Sequence, residues 1–160
     1  MNKELVLSSL DETKQLAQKL ASFLSEENNY PISIHLSGDL GTGKTTLVKG
    51  VLNYLGIENF INSPTFTLIE PYEISDLKIF HIDLYRVEKI TELSAIGLEE
   101  YLQEANSINF IEWPEKGSDF LKEPDIAISL FHQGEVARKC KVETSLAVSY
   151  THLRAHETST

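Results

Sequence analysis

The stretch GDLGTGKTTL, residues 38–47, joins an alternating apolar run to a helical one. Its Gly38-x-x-x-x-Gly43-Lys44-Thr45 core matches the phosphate-loop pattern G-x-x-x-x-G-K-[ST] residue for residue. At average residue usage, a chain of this length produces such a match by chance about once in 200. Upstream, PISIHLSG (residues 31–38) alternates Ile32, Ile34 and Leu36 after Pro31, which reads as a strand ended by Gly38. Downstream, Leu47, Val48, Val51, Leu52 and Leu55 fall on one helical face, and Gly56 stops it. A glycine-rich turn between strand and helix points successive backbone N–H groups inward, and the helix adds the positive end of its dipole. In this pattern the backbone of Asp39, Leu40, Gly41, Thr42 and Gly43 lines the anion. Lys44 reaches the β and γ phosphates, the Thr45 hydroxyl goes to Mg²⁺, and Thr46 faces the α-phosphate side.

The rest of the chain supplies the frame. SSLDETKQLAQKLASFL (residues 8–24) carries Ser9 and Glu12 in a capping-box relation, then Leu16, Leu20, Phe23 and Leu24 at helical spacing, so the first element is expected to be an amphipathic helix. TFTLIEPY (65–72) and LKIFHIDLY (77–85) read as a hairpin around EISD. TELSAIGLEEYLQ (91–103) is helical with a break near Gly97, and SINFIEW (107–113) is a buried strand. DIAISLF and EVARKCKVE flank HQG as a second hairpin. Strands alternate with helices early and pair locally late. The expected architecture is an α/β, three-layer, P-loop NTPase-like fold with a mixed parallel and antiparallel central sheet.

Composition narrows the class. The 160 residues are 41% hydrophobic and 24% charged, the profile of one soluble domain. A single cysteine, Cys140, excludes an intramolecular disulfide, and with no signal-like or membrane-length apolar run a cytoplasmic location is expected. The formal net charge of -10 has the wrong sign for gripping nucleic acid through its phosphates, so contact with RNA is expected only through a partner. The domain is expected over residues 1–145. The remaining LAVSYTHLRAHETST, 146–160, lacks apolar periodicity and reads as an atypical, disordered or non-native tail. His152 and His156 sit four apart there, but no glutamate follows His152 and no third ligand stands out.

A phosphate loop needs a carboxylate for the metal and a group that orients water. FHIDLYR offers Asp83 and INFIEWPE offers Glu112, each at the end of an apolar strand, and both strands are expected beside the loop strand. In INSPTFTL, Thr65 follows the stiffening Pro64 and is placed to act as a switch threonine toward Mg²⁺ or the γ-phosphate. Arg86 reads as a surface ion-pair residue and His81 as a packed strand histidine. No N-K-x-D element of guanine recognition follows the loop, and three arginines are few for a kinase lid, so ATP hydrolysis ranks above GTP switching and metabolite phosphorylation.

Together, GDLGTGKTTL, NSPTFTLIEPY, FHIDLYR and FIEWPEKG, in this order and at these separations, resemble the bacterial TsaE (YjeE) family of small P-loop ATPases. The resemblance covers about Leu10 to Thr144. It implies a role in the threonylcarbamoyladenosine modification of tRNA next to the anticodon, with a TsaB/TsaD heterodimer as partner and with ATP and Mg²⁺ as cofactors. It implies further that Lys44 and Thr45 hold phosphate and metal, Glu112 is the metal-site carboxylate, and Asp83 is catalytic or orients water, although the residues alone leave open which carboxylate meets the metal. Thr65 matches the switch threonine, Trp113 lies beside the nucleotide, and Thr13 neighbours the adenine. Two other readings stand beside this one: a nucleotide-gated binding module without essential hydrolysis, and a small-molecule kinase.

Overall fold

The computed structural model describes residues 2–27, 29–58 and 68–146. Seven strands form one sheet: β1 Asn2–Leu7, β2 Ile32–Ser37, β3 Ile69–Ile74, β4 Leu77–Asp83, β5 Ser107–Glu112, β6 Ile126–Gln133 and β7 Ala137–Thr144. Their order is β1-β7-β6-β2-β5-β4-β3. The central pairs β6/β2, β2/β5 and β5/β4 are parallel, whereas β1/β7, β7/β6 and β4/β3 are antiparallel, so the sheet is mixed as expected.

Helices α1 (Leu10–Glu26) and α2 (Lys44–Leu55) cover one face. Leu16, Leu20 and Leu24 of α1 and Leu47, Val48, Val51 and Leu52 of α2 bury against Ile32, Ile34 and Leu36 of β2 and Ile108 and Phe110 of β5. On the other face, α3 (Thr91–Ala95), α4 (Leu98–Leu102) and a 3-10 turn at Pro114–Gly117 cover a second core built on Phe80, Ile82, Leu84, Leu93, Leu98 and Ile111. Helices on both faces explain why all six residues of β5 are buried, the polar Ser107, Asn109 and Glu112 included: a central parallel strand is covered on both sides. Ser9 caps α1 as expected, accepting from the Glu12 N–H at 3.3 Å, and the Glu12 carboxylate accepts from Ser8 N–H at 2.7 Å.

Three expectations need correction. The first element is the strand β1, not a helix. Leu5 and Leu7 point into the core, but Val6 between them is half exposed, and three consecutive apolar residues hide the period of two; antiparallel pairing with β7 is what makes the strand. The first hairpin is tighter than EISD suggests, because Glu73 and Ile74 extend β3 and only Ser75 and Asp76 turn. The strands of Asp83 and Glu112 do not both flank the loop strand: β5 lies next to β2, and β4 is one position further out. Residues 147–160, with His152 and His156, lie outside the described residues, while Leu146 packs on the first core. Among the described residues no helix is long and apolar enough to cross a membrane.

Candidate functional site

The site forms where β2 ends and α2 begins, at the carboxyl edge of the parallel strands. Two glycines make the turn possible. Gly38 has φ +148, and a Cβ there would lie 2.5 Å from the Leu130 carbonyl oxygen and 2.8 Å from Thr42 Oγ1. Gly43 precedes α2 at φ +101 with open space where a Cβ would point. No side chain caps α2, so its first-turn N–H donors and positive dipole end face the cleft. Within the loop, Thr42 is buried and its hydroxyl donates to Asp39 O at 2.8 Å.

The cleft measures about 310 Å³. Leu40, Gly41 and Gly43 of the loop, Lys44, Thr45 and Thr46 of the first turn, the strand-end carboxylates Asp83 and Glu112, and the aromatic rings of Tyr85 and Trp113 line it. Lys44 Nζ donates to the carbonyls of Gly38 and Asp39 and stands 4.5 Å from the centroid of the Trp113 ring. Tyr85 and Trp113 pack at 5.0 Å between centroids and extend this wall. The Thr45 hydroxyl meets both oxygens of Glu112, at 2.8 and 2.9 Å. Register on β4 and β5 sets Asp83 directly opposite Glu112, and on β2 and β5 sets Leu36 opposite it, which brings both carboxylates to the mouth of the loop.

Burial pushes the Asp83 carboxyl above its ordinary range. The neighbouring Glu112 adds to that shift, while the Tyr85 N–H bond at 3.0 Å, His81 and Lys44 oppose it. A carboxylate raised in this way is a better proton acceptor than one in water.

Of the residues singled out from sequence, the structure thus gathers Leu40, Gly41, Gly43, Lys44, Thr45, Thr46, Asp83, Glu112 and Trp113 around one cleft. Asp39 and Thr42 shape the loop from behind and do not line it. Thr13 is not on the cleft wall either: its hydroxyl, one turn into α1, donates to Ser9 O at 3.5 Å. Thr65 lies outside the described residues. Arg86 is exposed and makes no ion pair among the described residues, so the surface salt bridge expected for it is not seen there. Two residues were missed. Tyr85 joins the aromatic wall, and the His81 ring, expected only to pack, touches Glu112 with Nε2 at 2.5 Å from Oε2. The i, i+2 spacing of His81 and Asp83 on one strand face was the available signal.

The donor set suits a magnesium nucleotide. Mg²⁺ takes hard oxygen ligands, commonly one or two carboxylates with phosphate oxygens and waters completing the shell. Thr45 and Glu112 offer that minimum, and among the described residues no group of three His, Cys, Asp or Glu side chains forms a self-sufficient metal cage. A larger cleft of about 640 Å³ lies between β3, β4 and α4, but it contains none of the loop residues.

The model of the family described as "Threonylcarbamoyl adenosine biosynthesis protein TsaE" matches residues 7–140. The chain belongs to the TsaE family. It is 41% identical over 117 residues to the tRNA threonylcarbamoyladenosine biosynthesis protein TsaE of Haemophilus influenzae, covering 73% of this chain and 72% of that protein. The protein of the same name from Bacillus subtilis is 35% identical over 129 residues, 81% of this chain and 77% of its own. That of Rickettsia bellii is 35% identical over 143 residues, 89% and 95%. The crystal structure of Bacillus subtilis YdiB superposes with a TM-score of 0.75 at 24% identity, covering 99% of this chain and 96% of that one, and so shares the fold. Family membership ties the chain to threonylcarbamoyladenosine biosynthesis, as the family description and the relatives' names state.

Proposed function

We propose that this chain is the ATP-binding and ATP-hydrolysing subunit required for threonylcarbamoylation of the tRNA adenosine next to the anticodon, acting with a TsaB/TsaD-like heterodimer. The observation that carries the reading is the contact of Thr45 with both oxygens of Glu112 at the mouth of the glycine loop, with Asp83 in register beside them. Around a magnesium nucleotide, the loop N–H groups and Lys44 hold the phosphates, and Thr45 and Glu112 hold the metal. When bound, Mg²⁺ neutralises phosphate charge and sharpens the in-line geometry. Asp83, lifted by burial, orients the attacking water and accepts its proton. Trp113 and Tyr85 shield one side of the cleft.

The acidic chain reaches tRNA only through the heterodimer, because its own charge repels a polyanion. Turnover is low for the chain alone and rises on the heterodimer, so that nucleotide is spent in step with modification. Reconstitution of tRNA modification with the wild-type chain, without it, and with Asp83→Ala tests this. Multiple turnovers are expected only with the wild type. Wild-type multiple-turnover yield from an Asp83→Ala chain that binds ATP without hydrolysing it would leave a nucleotide-gated binding module as the function. ATP consumption that depended on a metabolite acceptor would instead favour a small-molecule kinase.

A further inference from the structure

His81 has no part in the reading above, yet it reaches its centre. On β4 it shares a face with Asp83, and on β5 Phe110 shares a face with Glu112. The register pairs His81 with Phe110 and Asp83 with Glu112, so the imidazole approaches Glu112 along the diagonal. Nε2 lies 2.5 Å from Oε2, with the two side chains only 12% and 3% exposed. His81 does not line the cleft, and its contact with the site is the hydrogen bond to the Glu112 carboxylate.

The carboxylate of Glu112 is held from two sides of different stiffness. Thr45 donates from the start of α2, at the end of a glycine loop, whereas His81 donates from a strand paired on both edges, with β3 and with β5. A glutamate side chain has several rotors to order, and a hydrogen bond anchored in the sheet removes that freedom before the metal arrives. We propose that His81 is a positioning residue: it fixes the orientation in which Glu112, together with Thr45, meets a divalent cation beside the nucleotide phosphates. This rests on the nucleotide reading of the cleft and deepens it by adding the group that organises the metal ligand.

Trp113, the only tryptophan in the sequence, lines the cleft and reports binding by fluorescence. The full chain is titrated with ADP in EDTA, and then with MgCl2 at fixed ADP. His81→Leu removes the donor at similar volume, and His81→Gln carries an N–H to about the place of Nε2. His81→Leu is expected to raise the half-saturating Mg²⁺ concentration at least about tenfold while metal-free ADP affinity stays within about twofold, and His81→Gln to recover to within about threefold. In a Glu112→Gln background, His81→Leu is expected to add less than about twofold, because the residue through which it acts is already altered. Should His81→Leu not fold, as judged by its melting transition, His81→Asn replaces it, since that amide is too short to reach Oε2.

Unchanged Mg²⁺ dependence in His81→Leu overturns the proposal. So does a His81→Gln chain as impaired as His81→Leu, or a full shift from His81→Leu in the Glu112→Gln background. A wild-type chain whose Trp113 signal ignores Mg²⁺ at every ADP concentration overturns the nucleotide reading and the proposal together. A responsive wild type with an indifferent His81→Leu overturns the proposal only.

Discussion

Gly38→Ala tests how closely the loop is fitted to the sheet. Its φ of +148 is a conformation L-residues rarely adopt, and a new Cβ would lie 2.5 Å from Leu130 O and 2.8 Å from Thr42 Oγ1. The first of these is a backbone atom of β6, so no rotamer change relieves it. Thr42 is buried and its hydroxyl is engaged by Asp39 O, so it has little room to yield. Backbone strain costs about 1–3 kcal/mol, and overpacking a closed site about as much again. The sum, roughly 2–6 kcal/mol, is a large share of the 5–15 kcal/mol by which a domain is typically stable. For a chain of this size it lowers Tm by roughly 4–24 °C. Urea denaturation followed by far-UV circular dichroism is the assay, with the midpoint falling and the m-value unchanged. A variant within about 0.5 kcal/mol of wild type would refute the reasoning, since that is the range of surface substitutions.

Gly50→Ala reverses the usual preference for alanine in helices: the added Cβ would lie 2.9 Å from Ala17 Cβ where α2 crosses α1, so a propensity gain of about 1 kcal/mol is expected to lose to a clash of about 1–3 kcal/mol, read as a lower urea midpoint. Lys44→Ala keeps the loop N–H groups but removes the cation at Gly38 O and Asp39 O, so nucleotide affinity by Trp113 fluorescence should fall roughly 10- to 100-fold, the weight of one charge-assisted bond. His35 gives a pH dependence. Burial lowers its pKa from 6.5 to about 4 against an opposing pull from Asp125, so folding disfavours the protonated form. The stability this group contributes is complete above pH 6.5 and is lost as pH falls through about 4. The urea midpoint of wild type should therefore fall relative to that of His35→Gln as pH drops across that window, and parallel curves would contradict the assignment.

The local parts of the site were legible because their chemistry is written contiguously. Gly38, Gly43, Lys44 and Thr45 share one turn, and the alternation before it and the helical spacing after it agree on what surrounds that turn. Asp83 and Glu112 were visible as polar ends of apolar strands, but their meeting depends on parallel pairing between β4 and β5, and strand order is set by contacts distant in sequence. For the same reason β5, not β4, came to lie against β2. The His81 contact is a diagonal across that pairing, so it appears only once the register is known. The strand β1 was hidden because its outward Val6 is apolar and its partner β7 is more than 130 residues away. Thr13 was assigned by resemblance, without a local signal, and its hydroxyl turns to its own helix.

The central claim, that this cleft is a magnesium-dependent ATPase centre whose turnover serves tRNA modification, is tested most directly by one rate. ATP hydrolysis is measured for the chain alone and with the TsaB/TsaD-like heterodimer, each with Mg²⁺ and with EDTA. The expected result is slow Mg²⁺-dependent turnover alone and a clear rise with the heterodimer. A rate that is already high alone and indifferent to the heterodimer, or no Mg²⁺-dependent hydrolysis under either condition, would contradict the account.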